Sequence, residues 1–222
     1  LISVWQVATF TAITTSPVIA VTVEEYRAKV VAAYRLSPQG GAVADYILWG
    51  LDAAGTRKIY PYTASDDELN VYVEALPDDS TDGHGTPTPT ILTDVDANIE
   101  ADPVTGIGRR PIGTFVVNVL PISALAIDVV VSSGGAITVA QQAIVNTAIA
   151  EALYLVRPFI AGADAVADRN DSISTYWFGN VIIDAIGGVV IAAITFTVAG
   201  NPVTSYVFDN GEIPYLNSVV YI

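Results

Sequence analysis

The chain has 222 residues, 52% of them hydrophobic, enough for one large domain or two small ones around a sizeable core. Its 23 acidic against 9 basic residues give a net charge of −14, which repels phosphate backbones and argues against nucleic acid or an anionic membrane surface as a partner. With no cysteine, disulfides, thiolate zinc sites and thiolate nucleophiles are excluded.

In chain order, Thr22-x-x-Glu25 reads as a capping box opening a first helix, with Val23, Tyr26, Val30 and Tyr34 on one face and Ser37-Pro38 as its stop. A second helix is expected from about Ala42 to Ala54, with Val43, Tyr46, Ile47 and Leu51 inward and Gly55 as a left-handed cap, so that the two make a helical hairpin. Arg57 to Tyr62 and Leu69 to Ala75 read as short strands, and Pro61 marks the first as an edge. A polar loop from Leu76 to Thr86 leads to Thr88-Pro89, an N-cap and first-turn proline for a helix with Ile91, Leu92, Val95 and Ile99 inward. Thr114 to Leu120 and Leu125 to Val131 alternate and are β-branched, so they read as neighbouring strands joined at Pro121.

Ser132-Ser133-Gly134-Gly135 is the exit turn to a long helix from about Val139 to Val156, with Ala143, Ile144, Ala148, Ile149, Ala152 and Leu153 as its inward stripe. Asp171 or Ser172 is expected to cap a helix toward Ala185, broken at Gly187-Gly188 before a strand from Val189 to Thr197. Asp184 and the two glycines interrupt the apolar window 181–200, which reads as buried helix plus strand and not as a membrane span. Asn201-Pro202 and Asn210-Gly211 are expected turns, with a last short strand at Val219 to Ile222. Elements alternating in small groups without regular βαβ units favour an α+β fold: a helical segment over 1–56, then two small mixed α/β units with antiparallel strands over 57–120 and 121–222. The chain starts at Leu1, contains no Met and shows no signal-peptide pattern before Val23, which leaves room for a longer gene product.

Residues that could do chemistry are few. His84, the only histidine, sits in Asp82-Gly83-His84-Gly85 and reads as an exposed loop residue, since no Gly-x-Ser-x-Gly elbow accompanies it. Asp78, Asp79 and Asp82 lack the spacing and closing Glu of an EF-hand and read as turn formers; Asp66-Asp67-Glu68 reads as a solvated loop. Gly106-Ile107-Gly108 lacks the strand and helix of a dinucleotide fingerprint. Trp5, Trp49 and Trp177 are core residues or interface anchors. Arg109-Arg110 has two readings, a clamp on carboxylates across a subunit contact or a pairing with local acids such as Asp94 or Asp102. Catalytic, metal and cofactor sites are not expected, and Arg109, Arg110 and Trp49 are the candidate interface residues.

A wider pattern joins these pieces. Glu25-Tyr26-Arg27, Gly40-Gly41, Asp45-Tyr46-x-x-Trp49, Val71-Tyr72-Val73, Gly83-His84-Gly85-Thr86-Pro87, Arg110-Pro111 and Gly211-Glu212-Ile213-Pro214 follow one another over most of the chain. In order and spacing the succession resembles the baseplate J-like family, wedge proteins of contractile phage tails and related injection machines. The resemblance implies a virion structural subunit of the tail baseplate that is not an enzyme and needs no cofactor. It further implies partners in copies of itself and other wedge proteins, with the tail tube or hub and the sheath nearby, and a part in coupling baseplate rearrangement to sheath contraction. Two rivals are an acidic extracellular binding or surface-layer module and a hydrolase built on a carboxylate pair.

Overall fold

The computed structural model describes residues 27, 40–65, 67–111, 113, 114, 116–161, 164, 169–187 and 190–222. The expected first helix with its capping box lies outside them apart from Arg27, as does Trp5, so only the second helix of the expected hairpin is described. Residues 38–222 form one compact unit. Its class is α+β, as the sequence implies.

The first half begins with α1 (Val43–Leu51), held at its start by Asp45, whose fully buried Oδ2 accepts from the backbone N–H of Gly41 at 2.6 Å and Ala42 at 3.2 Å. Gly55, at φ +79, carries the turn into β1 (Thr56–Ser65). That strand pairs antiparallel with β2 (Glu68–Ala75), and β2 pairs parallel with β3 (Val116–Pro121), giving the order β1-β2-β3. Pro61 does lie in an edge strand, where its missing N–H costs least. Between β2 and β3 runs α2 (Pro89–Glu100), its N-cap Thr88 Oγ1 accepting from Ile91 N and its Ile91, Val95 and Ile99 buried. This β2-α2-β3 crossover is a βαβ unit that the sequence reading does not include. Ile59, Val71, Val73, Ala75 and Tyr46 join those α2 residues in the first core.

The chain then changes sheets within two residues. Ile122 N–H donates to Val73 O in the first half and Ser123 N–H to Gly211 O in the second. β4 (Ser123–Ser133) therefore does not neighbour β3, contrary to the expectation of strands joined at Pro121. It lies in a second sheet of order β7-β6-β4-β9, antiparallel to β6 (Ile191–Val198) and parallel to β9 (Glu212–Tyr221). The reason is non-local: the parallel partners of β4 and of β3 are supplied by segments 90 and 48 residues away (Asp128↔Ser218, Leu69↔Val117) and no local pattern encodes them.

Two helices cover one face of the second sheet. α3 (Val139–Leu155), capped by Thr138 and Gln141, buries Val145, Ile149 and Leu153, while Ala143 and Ile144, expected inside, are exposed. The helix is apolar nearly all round, so composition alone does not choose its buried face. α4 (Thr175–Ile186) buries Phe178 and Ile182 and ends at Gly187, φ +53. Its cap is Ser174, whose Oγ accepts from Trp177 N at 3.1 Å; of the expected Asp171 or Ser172, Asp171 accepts from Arg169 Nε and Ser172 lies in β5 (Ser172–Ser174) paired with β8 (Ser205–Val207). Asn201-Pro202 belongs to β7 (Asn201–Val203), and the hairpin turns one step earlier at Ala199 and Gly200, both at positive φ. No described helix is long and apolar enough to cross a membrane. A third cluster of Tyr60, Tyr62, Ile122, Ile160 and Ile213 is drawn from both halves.

Candidate functional site

The most chemically loaded place among the described residues is a cleft of about 250 Å³ walled by β1, β2, α3, β9 and the loop after β2. Its origin is a kink in β1. Thr56 faces Ala75 and Lys58 faces Glu74, so Arg57 is one residue too many, and such a bulge turns consecutive side chains toward the same side. Both cations consequently meet one ring of α3: Arg57 Cζ is 4.4 Å and Lys58 Nζ 3.5 Å from the Tyr154 centroid. Glu74, buried to 3% exposure, accepts from Arg57 Nη1 at 3.2 Å and from Tyr60 OH at 2.5 Å.

The electrostatics follow from burial. Desolvation pulls the Lys58 ammonium down from 10.5 to about 8; Glu74 opposes the fall, and the charges of Arg57 and Arg157 add to it. Desolvation, with Glu74's charge and hydrogen bond behind it, holds the Tyr60 phenol well above its usual value. Tyr62 is raised as well, mainly by burial, and its OH donates to Pro158 O at 3.1 Å. Two buried side-chain polar atoms have no partner among the described residues, Thr56 Oγ1 and Arg57 Nε.

His84 forms part of the cleft wall, exposed and stacked on Tyr215 with centroids 3.7 Å apart and planes 10° from parallel. The neighbouring Asp82 is spent on its own loop, accepting from His84 N, Thr86 N and Thr86 Oγ1. Asp78 and Asp79 lie exposed in a short 3₁₀ turn. No group of three or more His, Cys, Asp or Glu among the described residues is arranged to hold a metal ion. Glu74 is the one carboxylate among the described residues lining the cleft.

The candidate interface residues lie elsewhere. Arg109 is a junction: Nη1 donates to Asp52 Oδ2 at 2.8 Å and Asn98 O at 3.1 Å, and Nη2 to Asp102 Oδ2 at 2.8 Å. Asp102 also accepts from Thr105 N and Val104 N, and these backbone bonds, with Arg109 adding to them, bring its carboxyl down to about 2. Arg110 reaches Glu100 at 2.8 Å with its side chain 35% exposed. Trp49 packs partly buried on the first core, edge to Tyr46 at 5.2 Å. Trp177 likewise packs on the second core against Phe178. The Lys58 cleft escapes a sequence reading because its parts span positions 57 to 216 and the bulge has no local signature; the adjacent cations Arg57-Lys58 in so acidic a chain are the one visible hint.

No family model matches the chain, and no curated protein matches it. Among solved structures it is similar to a chain in the cryo-EM structure of the anti-feeding prophage (AFP) baseplate, six-fold symmetrised, at 8% identity and a TM-score of 0.48. That likeness covers 87% of this chain and 41% of the other, so the chain spans about two fifths of the length of its neighbour.

Proposed function

We propose that the chain is a structural subunit of a phage-type tail baseplate, a wedge component that joins copies of itself and other wedge proteins around the tail tube and helps couple baseplate rearrangement to sheath contraction. The observation that carries this reading is the use to which the motif residues are put. Gly41, at φ +112, has room only for a hydrogen where a Cβ would sit 2.2 Å from Pro111, the proline of the Arg-Pro turn. Tyr46 OH bonds Thr114 Oγ1 at 3.1 Å, tying Asp-Tyr-x-x-Trp to the segment after that turn. Gly85, φ +103, offers its carbonyl to Ala75 N at 2.8 Å and brings the Gly-x-Gly-Thr-Pro loop back onto β2. Gly211 packs on Tyr72 of the Val-Tyr-Val strand. The motif residues thus join one segment to another, which suits a part that transmits force.

Surface chemistry supports assembly. Along α3, Val139 is 81% and Leu155 64% exposed, and on α4 Tyr176 is 77% exposed, apolar area that a partner would take out of water. Arg110 is the member of the arginine pair with surface to offer a neighbour's carboxylate, and Trp49 is only partly covered. The test is to co-express the full-length gene product with the products of its neighbouring genes and image the purified material by negative stain. Rings or wedge-shaped complexes containing the chain are expected; a product that stays monomeric and joins no complex contradicts the proposal.

A further inference from the structure

Among the described residues, the cleft beside Lys58 is a polar site in which the lysine has no carboxylate in ion-pair contact. Arg57, Arg109, Arg110, Arg157 and Arg169 each lie within ion-pair distance of a carboxylate. Among the described residues no carboxylate comes that close to Lys58. Its Nζ donates once, to Tyr154 O at 3.3 Å, and otherwise rests on the Tyr154 ring, leaving two of three ammonium donors without a protein acceptor among the described residues. Glu74 acts on Lys58 through its charge but makes no ion pair with it, since one oxygen is engaged by Arg57 and the other by Tyr60. Arg57 in turn keeps a buried Nε–H without a partner among the described residues. Two cations against one carboxylate leave the cleft with one net positive charge in a chain of net charge −14.

We propose that this cleft binds a carboxylate carried on a short apolar stem, with the Lys58 ammonium as its anchor and Arg57 as the second positive charge. The charge balance asks for a single negative charge. Space sets the size: about 250 Å³ falls below the roughly 300–1,000 Å³ of sites for drug-sized ligands, so one side chain or a small acid fits. Ala150, Ile213, Pro214 and Leu216 supply apolar wall for the stem. The same chemistry comes from two sources, a free monocarboxylate or an acidic side chain of a protein segment. The site goes beyond the baseplate reading and stands or falls separately from it.

Lysine side-chain NMR reads it directly, since the chain has two lysines, Lys29 and Lys58. With Lys58 assigned by its loss in Lys58→Met, the ¹³Cε titration is followed with butyrate and, separately, with the N-acetylated, C-amidated peptide Ala-Glu-Ala and its Gln counterpart. A bound carboxylate favours the ammonium, so the Lys58 midpoint is expected to rise from about 8 toward the ordinary 10.5, saturably, with Lys29 unmoved and the Gln peptide inert. Saturation by the Glu peptide at tenfold lower concentration than butyrate assigns the site to a protein segment, and the reverse order to a free acid. A Lys58 midpoint unmoved by either up to about 50 mM, well beyond millimolar binding, or an equal response of Lys29 and Lys58, overturns the proposal.

Discussion

The Arg109 junction and the Lys58 cleft each gather positive charge in a strongly acidic chain, and they spend it in opposite ways. At the junction the guanidinium fork is consumed: three acceptors from α1's end, α2 and the following turn converge on one side chain that is 16% exposed. At the cleft the ammonium is half stripped of water and given a ring and one carbonyl in return. Planar geometry explains part of the difference, because a guanidinium can hold several acceptors at once while an ammonium is a point charge that burial readily discharges. The comparison teaches that local acids alone do not mark which cation builds the fold.

The contrast can be broken at several points. The largest effect is expected from Gly211→Ala, away from both cations: at φ +85 its Cβ would fall 2.3 Å from the Tyr72 ring, combining backbone strain with overpacking at the seam between the sheets. A loss of about 3 kcal/mol is expected by urea denaturation. Next comes Arg109→Ala, which strands Asp52, Asn98 O and Asp102; about 2 kcal/mol is expected, since the acids are partly solvated and recover some hydration. Calorimetry should show a melting temperature lower by roughly 4–8 °C, and an unchanged value would mean that the junction holds nothing together. The smallest effect is expected from His84→Ala, within about 0.5 kcal/mol, because the imidazole stacks on Tyr215 at an exposed loop.

Much of this architecture was legible where the signal is local. Thr88-Pro89 opens its helix through a side-chain cap and a proline whose missing N–H is harmless, and Gly187 ends α4 by adopting positive φ. Pro61 reports an edge strand for the same kind of reason. The failures are of another kind. Asn201-Pro202 looked like a turn, but Ala199 and Gly200 make it and the proline is accommodated on the edge strand β7. α3 carries apolar residues on too many sides for spacing to select Val145 over Ile144. The β3–β4 sheet change and the Arg57 bulge depend on partners far along the chain, so neither the second sheet nor the cleft could be read from neighbouring residues. For the interface candidate Arg109, one of the two local acids named from the sequence, Asp102, is a partner, whereas Arg110 pairs with Glu100 and not with Asp94.

The claim that Lys58 is a cation held without its counter-ion is tested most directly by stability against pH. The folded value of about 8 lies below the unfolded value near 10.5, so the unfolded chain binds more protons between them and stability must rise with pH in that window. Tyr60 and Tyr62, raised in the folded state, act the other way from about pH 10 upward, where the unfolded phenols ionise first. Urea denaturation of the native chain at steps between pH 7 and 10 is therefore expected to show a gain on the order of 1–3 kcal/mol, and Lys58→Met to show a flat profile at the level the native chain reaches near pH 10. A native profile that is flat or falls from pH 8, or a Lys58→Met protein markedly less stable than the native chain at pH 7, would contradict the account.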